Sequence, residues 1–268
     1  MKIGAWAWFV AVLLAGLLAA SRAGAQNLAP KLSVDLGGGV KMDFVLIKAG
    51  SFQMGSEKGD PGEKPVHGVT ITKPFYMGVY EVTQAQWKAI MGYNPSEFKG
   101  DDLPVECVSW EECQKFVAKL KEKAGQGMAC RLPTEAEWEY ACRAGSKTEY
   151  SYGDDAGALG EYAWFDGNSE GKTHPLGQKK PNAWGLCDMH GNVWEWCADW
   201  LDPGYYAKSP PEDPKGPNGP GGLPPIRVWR GGCWVSDAFF ERSAFRGRIS
   251  PSDRDYFSGC RVVMSAQE

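Results

Sequence analysis

Three capping boxes constrain the first half of this chain more than any other feature of it. Thr83 with Gln86, Ser109 with Glu112 and Thr134 with Glu137 each set a hydroxyl at a helix N-cap and a Glu or Gln at N3. The hydroxyl accepts from the N3 amide while the longer side chain reaches back to the N-cap amide, so two orphan donors are satisfied at once. The first helix then runs through Trp87 and Ile90 to Gly92, and the second places Cys113, Phe116, Val117 and Leu120 on one face. The third carries Trp138 and Ala141 and ends near Gly145, a C-terminal glycine. Before them, Val40 to Gln53 reads as strands turned at Gly50, and Val69 to Thr72 alternates as a half-buried strand. Beyond Gly145 the texture changes to short segments rich in Gly, Asn, Asp and Trp, with Asp202 to Pro225 a long Pro- and Gly-dense surface loop. Short strands follow at Arg227–Arg230, Ser243–Arg246 and Cys260–Val263. A single α+β domain with much irregular structure is the expectation.

The N-terminus reads as an export signal over residues 1–25. Lys2 is the positive start, Ile3 to Ala20 the apolar run, and Ala23-Gly24-Ala25 the small-residue cleavage pattern. An uncleaved anchor is the alternative, because the run approaches the length that spans a bilayer. Residues 26–39 then form a polar linker and residues 40–265 the domain, secreted or periplasmic, with no membrane span after cleavage. The net charge of −4 offers no basic excess for phosphates and argues against nucleic acid. In an oxidising compartment the eight cysteines are available for disulfides, with the connectivity open. No C-x-x-C occurs, so the spacing of a zinc site is missing.

Ordered blocks then carry a resemblance. They are Met54-Gly55-Ser56, EVTQAQW (Glu81 to Trp87), PVECVSW (Pro104 to Trp110), RLPTEAEWEYACRAG (Arg131 to Gly145), NAWGLCDMHGNVWEW (Asn182 to Trp196), RVWRGGCW (Arg227 to Trp234) and GCRVV (Gly259 to Val263). Through them the chain resembles the formylglycine-generating-enzyme or sulfatase-modifying-factor family. The resemblance implies a C-type-lectin-related fold with little regular secondary structure. It also implies several chemistries: copper-dependent oxidation of a substrate cysteine, association with iron-binding modules or kinases, siderophore maturation, and ligand binding by retroelement-diversified variable proteins. Fold membership alone does not choose among them.

Copper is not expected here. In the family the two thiolates follow the R-G-G block, and the matching positions after Arg230 hold Ser236 and Glu241. Hydroxyl and carboxylate are hard ligands and do not replace thiolates on Cu(I). Cys233 lies in the same loop and is the one catalytic candidate, with Cys260 as its nearest candidate partner in a disulfide or a rearranged metal site. His67, His174 and His190 have no iron-site spacing, and no G-x-S-x-G elbow marks a hydrolase. Calcium is the better metal. Asp188 and Glu195 bracket several carbonyls, the mixture a hard cation takes. The resemblance implies a structural site made by the Asp188 and Glu195 side chains with the Gly191 and Val193 carbonyls.

The segment from Cys233 to Cys260 keeps a frame of Arg242, Ser243, Ala244, Arg246, Pro251, Arg254, Gly259 and Arg261. Its arginines are expected to brace the fold through carboxylates and carbonyls. Between them, aromatic and small polar residues mix as in binding loops. The expected ligand surface is Val235, Ser236, Asp237, Phe239, Phe240, Asp253, Asp255 and Tyr256, with Trp194 and Trp234 lining a cleft. The alternative puts Phe239, Phe240 and Phe257 in the core. The chain is thus read as a secreted, non-catalytic domain that holds an unknown ligand or protein through its C-terminal loop. The alternative function is a cysteine oxidase using Cys233.

Overall fold

The computed structural model describes residues 1, 28–125, 127–220 and 224–266. The apolar run and the cleavage pattern of the expected export signal lie outside the described residues. Two strands open the domain, β1 (Lys31–Gly37) and β2 (Val40–Ile47), joined by Gly37, Gly38 and Gly39, all at positive φ. This corrects the reading of residues 26–39 as a linker. Val34 and Leu36 turn inward, with 6% and 3% of their surface exposed, while Lys31, Ser33 and Asp35 face out. The outward residues gave the segment its polar look.

After β3 (Gly50–Met54) and β4 (His67–Ile71), which pair with each other, come β5 (Phe75–Gly78), α1 (Gln84–Met91), α2 (Trp110–Ala124), β6 (Met128–Arg131) and α3 (Glu135–Arg143). The second half supplies β7 (Trp194–Trp200), β8 (Arg227–Arg230), β9 (Gly247–Ile249), β10 (Ser258–Gly259) and β11 (Val263–Ala266). One sheet has the order β1-β2-β5-β11-β6, so the last strand is inserted between strands from the first half. A second runs β10-β7-β8-β9. Residues 202–220 of the expected Asp202–Pro225 surface loop are irregular with one short 3₁₀ turn, but Tyr205 and Tyr206 within them are buried. Ser243–Arg246 is a turn rather than a strand, because its arginine folds inward to a carboxylate and regular pairing starts only at Gly247. Among the described residues no helix is long and apolar enough to cross a membrane.

All three capping boxes close, with both bonds of each between 2.9 and 3.2 Å. The third starts a helix that is buried on every side: all residues of α3 are buried, its acids included. Those acids are tolerated because each meets a guanidinium from elsewhere. Glu135 takes a bidentate Arg246 at 2.6 and 2.7 Å. Glu139 accepts from Arg143 at 2.8 Å, from the Gly55 amide at 2.9 Å and from Arg230. Outside α3, Glu195 on β7 holds Arg261 at 2.6 to 3.0 Å, Glu63 holds Arg242 at 2.8 and 2.9 Å, and Glu112 holds Arg254 at 2.8 Å. Each frame arginine of the C-terminal segment therefore braces a carboxylate, as the sequence leads one to expect.

The pair Glu195–Arg261 is fully buried and joins β7 to the segment leading into the last strand, so removing one partner strands the other charge. Arg261→Met is expected to cost about 3–5 kcal/mol. Glu195→Gln combined with Arg261→Met should recover part of that loss. Urea unfolding of the four members of this cycle measures it, and strictly additive losses would show that the pair is not coupled.

Candidate functional site

The site grows out of the end of β8. Gly231 and Gly232 both take positive φ, and a Cβ on Gly232 would sit 2.3 Å from the Glu241 carboxyl atoms. Glycine at that place is what lets Glu241 fold beneath the loop. The turn after it is closed by Ser236 N donating to the Cys233 carbonyl at 2.9 Å. The Cys233 amide donates to Glu241 Oε1 at 3.1 Å and to Ser236 Oγ at 3.2 Å, and the Cys233 thiol lies 3.2 Å from the same hydroxyl. Cys233, Ser236 and Glu241 are thus one buried cluster, as their spacing allows, but its chemistry is that of a neutral one. Burial pushes the Cys233 thiol up to about 12, so it is not a thiolate at neutral pH. Burial likewise raises Glu241 well above the carboxylate range, and its Oε2 has no hydrogen-bond partner.

The structure separates Cys260 from this cluster. Its thiol neighbours Cys113 on α2, and its carbonyl accepts from Val82 N at 2.8 Å, which turns the residue toward the helices. Cys260 is therefore not the partner of Cys233 that the sequence suggested. All eight cysteines lie among the described residues as free thiols.

Outside the cluster the loop is open and aromatic. Val235 is 53% exposed, Tyr256 48%, Phe239 42% and Phe240 37%, so Phe239 and Phe240 are not core residues, whereas Phe257 is partly buried against the core. A continuous series of ring contacts joins the two ends of this surface. From Phe240 it passes to Phe245 at 4.9 Å, Trp194 at 5.8 Å, Trp229 at 6.0 Å, Phe257 at 5.9 Å, Tyr256 at 5.3 Å and Trp234 at 5.7 Å. Trp194 and Trp234 retain 8% exposure each and form a nearly buried floor, with Trp234 Nε1 donating to the Tyr256 carbonyl at 3.1 Å. Asp237 caps its own turn by accepting from Phe239 N at 2.9 Å. Asp253 and Asp255 sit on the turn beside Tyr256, and burial with the nearby Asp253 charge raises Asp255.

The Asp188–Asn192 turn is stitched to the same loop: Gly191 N donates to Gly231 O at 2.7 Å and Trp234 N to Asn192 O at 2.9 Å. Asp188 and Asn192 have left-handed backbones, and a Cβ on Gly191 would meet the Trp164 carbonyl at 2.2 Å. Asp188 Oδ2 accepts from Gly177 N at 2.7 Å, while Oδ1 is buried without a partner, and burial raises this carboxyl to about 6. That oxygen suits a cation. Glu195 suits one less, because Arg261 holds both its oxygens and Trp138 Nε1 donates to Oε2 at 2.6 Å. Among the described residues no three His, Cys, Asp or Glu side chains gather as a metal site. His190 is structural: it bonds the Glu241 carbonyl at 2.7 Å and Ser151 Oγ at 2.9 Å, and burial lowers it to about 4.

Sequence reasoning missed Glu81. It is fully buried beside Asp188 and Glu195, and accepts from Asn192 Nδ2 at 2.9 Å and Val193 N at 3.0 Å. Its place just before the N-cap Thr83 was the available signal, but an acid there reads equally as an ordinary helix preamble.

Because the folded state raises Glu241, it binds the proton more tightly than the unfolded chain does. The associated stability is present at low pH and is lost as pH rises out of the carboxylate range. Glu241→Gln keeps an acceptor for the Cys233 amide and cannot ionise. The variant should match the parent near pH ~4 and be more stable by about 1 kcal/mol or more near pH ~8. Urea melts across that range check it, and parallel profiles would show that Glu241 is not titrating.

The fold is shared with known proteins. A family profile described as "Sulfatase-modifying factor enzyme 1-like domain" matches residues 39–266. Treponema denticola variable protein 1 superposes with a TM-score of 0.78 at 30% identity, over 88% of this chain and 99% of that one. PvdO from Pseudomonas aeruginosa superposes with a TM-score of 0.77 at 30% identity, over 89% of this chain and 99% of that one. The chaperone protein LppX of Paenibacillus barcinonensis is 30% identical over 277 residues, which covers 84% of this chain and 90% of LppX. With its fold, its buried arginine frame and its sequence blocks in register, the chain belongs to the sulfatase-modifying-factor family, with the formylglycine-generating-enzyme-like fold.

Proposed function

We propose that this domain is a non-catalytic binding protein that holds a polypeptide on the aromatic surface of its C-terminal loop. The observation that carries the reading is the exposed set Val235, Phe239, Phe240 and Tyr256, resting on a floor of Trp194 and Trp234. Large aromatics left in water on one loop are costly unless a partner covers them. Rings with few rotatable bonds bind at low entropic cost. The likeness to a variable protein and to a protein described as a chaperone supports a binding role and a polypeptide partner. A redox role has less behind it: the positions of the family's thiol pair are Ser236 and Glu241, and the remaining thiol is protonated and buried.

The domain acts outside the cytosol, secreted or periplasmic, on the strength of the Lys2 to Ala25 pattern. A structural calcium ion at the Asp188 turn is part of the same reading. Its support is the unpartnered Asp188 Oδ1 within a cluster of three buried acids, Glu81, Asp188 and Glu195, faced by Arg261 and Lys179. The residues that would hold it are Asp188 and the Gly191 and Val193 carbonyls, joined by Glu195 only if Arg261 releases it. Bound there, the ion supplies charge balance and holds the turn.

Three measurements test these claims. Titration with a permanently unfolded polypeptide, reduced and carboxymethylated lactalbumin, should show binding to the parent protein. Combined Phe239→Ser, Phe240→Ser and Tyr256→Ser should weaken it by at least about tenfold, ~1.4 kcal/mol, without lowering Tm. Unchanged affinity in the triple variant would overturn the surface. Aldehyde formation on a cysteine peptide by Cu(I)-loaded protein, lost in Cys233→Ser, would overturn the non-catalytic reading. For calcium, chelation should lower Tm and added Ca²⁺ restore it. No shift with either would remove the ion.

A further inference from the structure

Cys113 and Cys260 are both fully buried in the same core cluster, and the Cys260 side chain is a direct neighbour of the Cys113 thiol. They come from distant parts of the chain. Cys113 sits one turn into α2, its amide bonded to the N-cap Ser109 carbonyl at 3.0 Å, and that N-cap is fixed by a closed capping box. Cys260 is fixed on both sides. Its carbonyl accepts from Val82 N, and the next residue, Arg261, donates to Glu195 and to the Gly78, Val79 and Cys187 carbonyls. The surroundings are the apolar side chains of one core cluster, Val82, Val105, Val108 and Phe116 among them. Two thiols held from both ends in a dry core have little freedom to avoid each other.

The other thiols face different company. Cys233 meets Ser236, and Cys142 meets Ser243, the Met189 carbonyl and His190. Cys107 is bonded to Glu106, and Cys130 lies on β6 opposite Met264.

We propose that Cys113 and Cys260 are a disulfide modification site, oxidised to an intramolecular bridge when the chain folds in the presence of a disulfide donor. With oxidised glutathione as donor, one thiolate attacks a glutathione sulfur, forms a mixed disulfide and releases one glutathione thiolate. The second cysteine, deprotonated in turn, attacks its partner's sulfur and releases the second glutathione. The two cysteines lose two electrons and two protons, and one oxidised glutathione becomes two reduced molecules. In the finished fold burial holds the Cys113 thiol protonated, so exchange belongs to the stage before α2 packs against the sheet. The bridge would tie α2 to the segment that carries the inserted last strand, closing a long loop whose chain entropy it removes from the unfolded state.

The test is refolding of the whole chain with oxidised and reduced glutathione, then alkylation in denaturant and peptide mapping. The expected result is a linked Cys113–Cys260 peptide pair and two fewer alkylated thiols than in the fully reduced control. Unfolding of the oxidised protein should occur at a Tm several degrees above that of the reduced protein (~3 °C or more). Cys113→Ala with Cys260→Ala should make Tm independent of redox state. Peptide mapping needs only the parent sequence, so a variant that fails to fold does not blunt it. Alkylation of both Cys113 and Cys260 in the oxidised protein would sink the proposal, and so would a linked peptide joining Cys260 to Cys233.

Discussion

Glu139 is the carboxylate on which the rest depends. It has no exposure, yet it stays ionised because Arg143 and Arg230 face it and the Gly55 amide donates to it, which holds its carboxyl below the usual range against the push of burial. Those three partners belong to α3, to β8 and to the end of β3. One side chain therefore sets the spacing between a buried helix and the strand that leads into the Cys233 loop. Arg246 on Glu135 and Arg261 on Glu195 repeat the arrangement at neighbouring points. Such pairs add little net stability compared with apolar packing, since desolvation offsets most of the attraction. What they impose is geometry, because each bidentate contact is satisfied in one relative placement. A domain with short strands and long irregular stretches gains its definition from these contacts.

The helices were legible because capping is local. Thr83, Ser109 and Thr134 announce their helices within four residues, and no distant contact is needed to read them. The linker was misread because β1 buries only alternate residues, and Lys31, Ser33 and Asp35 dominate its composition. Its partner β2 makes it a strand, and pairing is not local information. The same limit applies to the site. The spacing from Arg230 located Ser236 and Glu241, but not that Gly232 leaves room for Glu241 beneath the turn. The aromatic residues of the loop could be named from the sequence. Which of them face water could not, since Phe245 and Phe257 differ from Phe239 and Phe240 only in the backbone that carries them.

The buried cluster of Cys233, Ser236 and Glu241 has the Cys233 amide pointing into its turn. A hydroxyl and a neutral acid make this turn a hydrogen-bonded knot that supports the loop above. The Asp188 turn is fastened to that knot through Gly191 and Trp234, so order at one is shared with the other.

The ring series from Phe240 to Trp234 has a consequence for how such a domain can diverge. Its anchors, Trp194 and Trp229, belong to strands locked by arginine pairs, while Phe240 and Tyr256 stand on turns with more than a third of their surface in water. Such exposed residues are open to replacement at less structural cost than the anchors. Mutational drift in this chain should concentrate at positions 235, 239, 240 and 256, giving a surface that varies while the protein beneath it stays the same.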